Sequence, residues 1–333
     1  MVGLLDSLHA GRSNVLAVLT YHRVDVPGAR PHLDPGLISA QPAAFEEQMR
    51  YLASRRRVLS LSDVMAAQRS GREIPRSAVM ITFDDAYEDF AQHAWPVMRG
   101  LGLPVTLFVP TAFPGDPSRS FWWDRLYHAV QRTAHSRVVD GEVIGDLSLQ
   151  SPGERALAYR FLARRIKSLE HGIAMDLIER ITDQLEVPPA PSPVLGWSRL
   201  RQLADEGVTL ASHSRTHPLL TRLTASQLRD ELEGSMSDLE REVGEVSPAL
   251  AYPNGSYSPQ VLAAARRAKL SIGFTVVRGV NHLAGIDWLR LRRIHIGTRS
   301  ALPVIRAQLM TYSGRRTRWQ LASDLLSSRF ERR

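Results

Sequence analysis

Val79-Met80-Ile81-Thr82-Phe83-Asp84-Asp85 sets an unbroken apolar run directly against two acidic residues. A short run that is apolar at successive positions, not alternate ones, fits a strand buried on both faces, as in a parallel sheet. Two adjacent carboxylates at its end are costly to desolvate, and like charges this close raise one pKa unless a cation intervenes. The same pair would serve equally well to cap a helix beginning near Tyr87. The segment alone leaves both readings open.

Working outward, similar runs recur at Val15–Tyr21, Val105–Val109 (between Pro104 and Pro110), Val208–Ala211, Ala249–Tyr252, Ile272–Val277 and Ile294–Ile296. Helical stretches lie between them. Phe45, Met49 and Leu52 fall at i, i+4, i+7, one apolar stripe. Thr224 and Gln227 have the spacing of a capping box, followed by a stripe of Leu228, Leu232, Met236, Leu239 and Val243. Strands alternating with helices imply a parallel α/β sheet with helical crossovers, and about seven strands can close into a barrel. Such barrels carry their chemistry at the C-terminal strand ends.

The alternation breaks between about residues 116 and 194, which hold Phe121-Trp122-Trp123-Asp124, several helical segments and a Pro-rich exit at Val187–Pro193. This reads as a mostly helical insertion between the third and fourth strands. Its aromatic residues suit either a sugar-stacking platform or an anchor to the barrel, and buried aromatics favour the anchor. The expected organisation is one domain over residues 1–333, with that insertion and a basic tail from about residue 300. A tail of this kind is usually a solvated helix, though its basic and apolar residues would also suit contact with anionic lipid.

Composition narrows the function. The 333 residues are 44% hydrophobic and 23% charged, enough for one large core. The net charge of +8 favours anionic partners in general, yet no nucleic-acid-binding motif is present. With no cysteine, thiolate catalysis, cysteine-ligated zinc and disulfides are all excluded. No apolar run approaches the roughly 18–20 residues of a membrane span, and Met1–Asn14 lacks the apolar core of a secretory signal. The expectation is a cytoplasmic protein, or one peripheral to the inner membrane face.

Three further strand ends offer polar groups. Ser212-His213-Ser214-Arg215-Thr216-His217-Pro218 contains His-x-x-x-His, a spacing that can put two imidazoles on one metal. With 11 histidines, such a pair also arises readily by chance. Beside the acidic pair, it completes an Asp-His-His set that leaves coordination positions open. Oxygen and nitrogen donors without sulfur suit Zn²⁺, with Co²⁺, Ni²⁺, Fe²⁺ and Mn²⁺ as alternatives. Leu19-Thr20-Tyr21-His22-Arg23-Val24 presents a lone histidine, a residue more often structural than catalytic. Ala251-Tyr252-Pro253-Asn254-Gly255 is a turn signal that could also present a backbone N–H to an oxyanion.

Taken in order, Thr82-Phe83-Asp84-Asp85, Ser212–Pro218 and Ala251–Gly255 resemble the NodB-type polysaccharide deacetylases, carbohydrate esterase family four. The resemblance runs from about Val15 to Ile296 outside the insertion, and its opening Tyr21-His22 is closest to the exopolysaccharide N-deacetylase subgroup. It implies a distorted (β/α)7 barrel that removes acetyl groups from N-acetylated glycans, polymeric or lipid-linked. By the same resemblance Asp84 is the general base, Asp85, His213 and His217 are the metal ligands, and Tyr252 and Asn254 lie at the oxyanion. The general acid falls on His295 by the pattern of many members, or on His22 by that of the subgroup, and His22 is preferred. The arginine that usually orients the base is replaced by Ala251, so the orienting group of Asp84 is not identified. Asp287-Trp288 looks like a late family motif but is read as structural. Two other functions stay open: a catalytically silent glycan-binding barrel, suggested by the missing arginine, and hydrolysis of another small amide, as in allantoinase-like relatives.

Overall fold

Seven of the apolar runs form strands that close on one another in a computed structural model, which describes residues 14–313 except 142 and 245. In chain order they are β1 (Val15–Tyr21), β2 (Ala78–Phe83), β3 (Thr106–Val109), β4 (Thr209–Ser212), β5 (Ala249–Ala251), β6 (Ile272–Arg278) and β7 (Leu291–His295). Each pairs in parallel with its neighbours in the order β1-β7-β6-β5-β4-β3-β2, and β2 returns to β1 through six registered pairs from Leu16↔Ala78 to Tyr21↔Phe83. Two short strands flank the closure, Arg57–Val58 beside β2 and Asn281–His282 beside β1. The (β/α)7 barrel expected from the sequence is therefore the fold.

Alternation along each strand explains why the runs are apolar throughout. Leu16, Val18, Met80, Phe108, Phe274 and Leu291 point into the barrel. Their neighbours Leu19, Tyr21, Ile81, Phe83 and Leu107 point outward, where Phe45, Met49 and Leu52 of a covering helix meet them. Both faces are thus buried, as parallel sheets require. Small residues at Ala211, Ala249 and Ala251 leave room inside for the larger rings.

The helices are α1 (Pro42–Arg55), α2 (Leu61–Ser70), α3 (Trp95–Gly100), α4 (Trp122–Arg132), α5 (Pro152–Ser168), α6 (His171–Gln184), α7 (Trp197–Asp205), α8 (Ala225–Val243), α9 (Pro259–Arg267) and α10 (Leu302–Ser313). The insertion consists of α4, α5 and α6 with an antiparallel hairpin, Arg137–Asp140 against Gly145–Ser148. That hairpin is the non-helical part of an insertion expected to be mostly helical. The insertion has its own core, built from residues such as Leu126, Val130, Leu162 and Leu177. None of the described helices is long and apolar enough to cross a membrane. The basic residues Arg315–Arg318 lie outside the described residues.

The capping box at the start of α8 is present in both directions: Gln227 N–H donates to the Thr224 hydroxyl, and Thr224 N–H donates to Gln227 Oε1. Replacing Thr224 by Ala removes one of these and is expected to cost about 1 kcal/mol, measurable by denaturant unfolding. The helix matters because it buttresses the loop that follows β4.

Strand β7 begins at Leu291, earlier than the Ile294 expected from hydropathy. Arg292 and Arg293 disguised it, since charged residues rarely enter a barrel wall. Arg293 is only 1% exposed, and its position has consequences for the site.

Candidate active site

Inward-pointing positions at the C-terminal ends of β1, β2, β4 and β7 converge on one mouth of the barrel. Asp84 and Asp85 leave β2 there, each 2% exposed. Asp85 and Ala86 both adopt left-handed backbone, φ 73° and 53°, as do Ser214, His217 and Asn254 in neighbouring loops. Non-glycine residues avoid this region unless the surroundings enforce it, and such strain gathers at functional sites.

The helix-cap reading of the acidic pair does not hold. Asp84 Oδ1 accepts from Arg293 Nη1 at 2.8 Å, and Asp85 Oδ1 is buried without a hydrogen-bond partner. Arg293 is held in turn by its Nε, which donates to Thr275 O at 2.8 Å. Burial would push the Asp84 pKa up, but Arg293 and the nearby His213 and His22 outweigh it and hold the group well below the ordinary carboxylate range. Arg293 therefore fills the orienting role left vacant at Ala251.

Asp85 Oδ1 lies 3.4 Å from His213 Nε2 and 3.3 Å from His217 Nε2. One ligand atom from each of the three residues falls within 4.8 Å of the others. His213 Nδ1 sits 2.7 Å from the Ala251 carbonyl, so Nδ1 carries the hydrogen and Nε2 faces Asp85. That leaves a lone pair opposed to a carboxylate unless a proton or a cation lies between them. Burial holds His217 neutral, its pKa pushed down to about 3. A shared cation would satisfy all three groups at once, and one carboxylate with two imidazoles is a donor set that suits a divalent metal.

The loop carrying the histidines is fastened by a residue the sequence reading passed over. Glu231 on α8 accepts from the backbone N–H groups of Arg215 and Thr216 at 2.8 and 2.9 Å, and from the Thr216 hydroxyl. His217 also meets the insertion, its ring edge-on to Trp123 at 4.9 Å. Trp123 donates to Tyr87 Oη, and Tyr87 donates to the buried Asp124 at 2.6 Å. The Phe121–Asp124 segment thus anchors the insertion, as preferred from the sequence, while Trp122 and Trp123 also line the site.

These groups open into a cavity of about 380 Å³. Residues 71–273 match the polysaccharide deacetylase family. The chain belongs to that family. It is 29% identical over 140 residues to the poly-β-1,6-N-acetyl-D-glucosamine N-deacetylase of Escherichia coli (strain K12), covering 38% of this chain and 20% of that protein. The enzyme of the same name from Staphylococcus aureus (strain MSSA476) is 29% identical over 79 residues, 23% of this chain and 27% of the relative. The chain thus matches only about a fifth to a quarter of the length of these curated relatives. Among solved structures, the Streptococcus pyogenes deacetylase PplD in complex with acetate superposes with a TM-score of 0.61 at 18% identity, over 90% of this chain and 99% of that one. IcaB from Ammonifex degensii gives 0.59 at 18%, over 89% and 97%.

Within this family fold the remaining expected residues separate. His22 lines the cavity, its backbone N–H fixed by the Ser39 hydroxyl at 2.9 Å. His295 lies opposite Thr20 in the β1–β7 register and is not among the residues lining the cavity. Burial and the Arg293 charge push its pKa down to about 4. Asn254 borders the cavity. Tyr252 does not: it is fully buried, its N–H donates to Phe274 O and its hydroxyl to Leu289 O. Both donors being committed, Tyr252 is removed from the candidate oxyanion groups. Asp287 accepts from Leu289 N–H at the start of a short helical turn, and Trp288 packs against the barrel interior, a structural pair.

Proposed function

We propose that this chain is a divalent-metal-dependent hydrolase that removes N-acetyl groups from a glycan. The observation that carries the reading is Asp85 Oδ1, buried without a hydrogen-bond partner between two imidazoles, with the Arg293-held Asp84 beside it. Asp85, His213 and His217 would hold the cation, Zn²⁺ by donor type. When bound, the cation polarises the acetamide carbonyl and makes water a better nucleophile.

The chain's own groups supply the rest. Asp84, kept ionised by Arg293, takes the proton of the attacking water. The backbone N–H of Asn254 would donate to the oxyanion that develops on the former carbonyl oxygen. His22 donates a proton to the departing amine, which would otherwise be a poor leaving group. His295 is less suited to this step, because it is not among the residues lining the cavity where the departing amine would sit. The names of the curated relatives support an N-acetylglucosamine polymer as the substrate class. A silent glycan-binding barrel loses its motive, since Arg293 replaces the arginine whose absence suggested it.

The test is acetate release from a panel of N-acetylated glycans with Zn²⁺, Co²⁺, Ni²⁺, Fe²⁺ and Mn²⁺, alongside cyclic amides. Chelation is expected to abolish release, and readdition of one of these metals to restore it. Persistence of full activity in metal-free protein would remove the cation from the reading. Turnover of cyclic amides alone would move the chain to the allantoinase-like class.

A further inference from the structure

Part of the cavity lining is cationic, and nothing in the deacetylation chemistry uses it. Arg160, Arg164 and Lys167 follow one another at i, i+4, i+7 on α5, with Ala163 on the same stripe, and all four line the cavity. Arg222, from the turn after β4, joins them. Helix α5 packs its other face, including Ala158 and Leu162, into the core of the insertion, so the stripe cannot turn away from the cavity. Lys167 Nζ reaches Asn254 Oδ1 at 3.4 Å, which brings the stripe to the lip where the acetamide would sit.

Among the described residues, Arg160, Arg164, Lys167 and Arg222 form no ion pair. Two of the three acids that share the cavity are otherwise engaged, while Asp34, hydrogen-bonded to neutral donors, acts on Lys167 through its charge. Asp84 is paired with Arg293, Asp85 lies between the imidazoles, and Asp34 accepts from the Tyr159 hydroxyl and Gly36 N–H. Like charges at i, i+4 destabilise a helix. All four are solvent-exposed, so their mutual repulsion is screened, but together they present a concentrated positive rim to the cavity; guanidinium pairs are matched to phosphate and carboxylate oxygens. A neutral polymer of N-acetylated sugars offers them hydroxyl and carbonyl acceptors but no matching charge.

We propose that the cavity selects a glycan carrying an oxyanion, a phosphate or carboxylate group, close to the acetylated sugar, and that Arg160, Arg164, Lys167 and Arg222 bind that group. The inference rests on the deacetylase reading for the acetamide, but the anion site itself can be tested separately.

The metal-loaded protein is given matched N-acetylated oligosaccharides that are neutral, phosphorylated or uronate-bearing at the adjacent residue. A charged substrate is expected to exceed the neutral one by about tenfold in kcat/KM at low salt, with the advantage shrinking as ionic strength rises. In Arg160→Ala/Arg164→Ala that ratio is expected to fall towards one. Both side chains are exposed and Ala favours helix, so circular dichroism should report an intact fold. Preference between the phosphate and uronate arms identifies the anion. Equal kcat/KM for neutral and charged substrates would overturn the proposal. If none releases acetate, the deacetylase reading fails instead, and calorimetry with N-acetylglucosamine 1-phosphate against N-acetylglucosamine decides the anion site. Tighter binding of the phosphate that disappears in the double variant supports it, and equal binding overturns it.

Discussion

Asp84→Asn is expected to lower kcat for acetate release by about 10²–10⁴-fold while leaving the metal content of the protein unchanged. The magnitude is that of a positioned general base. The substitution is nearly isosteric, and the amide oxygen can still accept from Arg293 Nη1, which stands 2.8 Å from Asp84 Oδ1. What is lost is the capacity to take a proton. The retained metal follows from the ligand group, which comprises Asp85, His213 and His217 and omits Asp84. Acetate assays paired with metal analysis on the same preparation check both halves. Loss of metal together with activity would make Asp84 a ligand and not a base.

The second large effect concerns Arg293→Met. The ion pair it forms with Asp84 is buried on both sides, at 1% and 3% side-chain exposure. Removing one partner strands the other in a medium that cannot solvate it, a loss of about 3–5 kcal/mol in comparable cases. Activity should fall as well, because nothing else described holds Asp84 Oδ1. Combining Asp84→Asn with Arg293→Met removes the stranded carboxylate, so the double variant is expected to be more stable than Arg293→Met alone. Denaturant unfolding of the four proteins measures the coupling. Wild-type stability in Arg293→Met would show that the pair does not support the fold, and undiminished acetate release that it does not position the base.

The Arg293 pair also shows where sequence reasoning stopped. Hydropathy placed the last strand at Ile294–Ile296, because Arg292 and Arg293 break the apolar pattern. The register shows Arg293 on the inward phase of β7, between Leu291 and His295. A charged residue on the inward face of a strand is a sign of a partner inside, and here the partner is 209 positions away. Glu231 was hidden for a different reason. On α8 it falls beside an apolar stripe and reads as one more solvated acid, yet its carboxylate gathers three donors from the histidine loop. The stripe on α5 was likewise indistinguishable from an ordinary wet face until the insertion was seen to fold over the barrel mouth.

Local chemistry explains what was legible. Apolar runs mark strands because both faces of a closed parallel barrel are buried, and the Thr224 capping box is complete within four residues. The Asp pair and His-x-x-x-His are visible for the same reason: each is a short string whose residue types are themselves the chemistry. So the sequence by itself determined the strand–helix alternation and the candidate ligand set, while the closed barrel entered as what the family resemblance implies. Tertiary structure alone decided that Arg293 holds Asp84 and that Tyr252 is buried away from the site; it also puts His22, the histidine already preferred by resemblance, on the cavity lining. Those outcomes depend on how β1, β2 and β7 register when the barrel closes. Side-chain periodicity specifies which face a residue takes, but not which distant strand it will face.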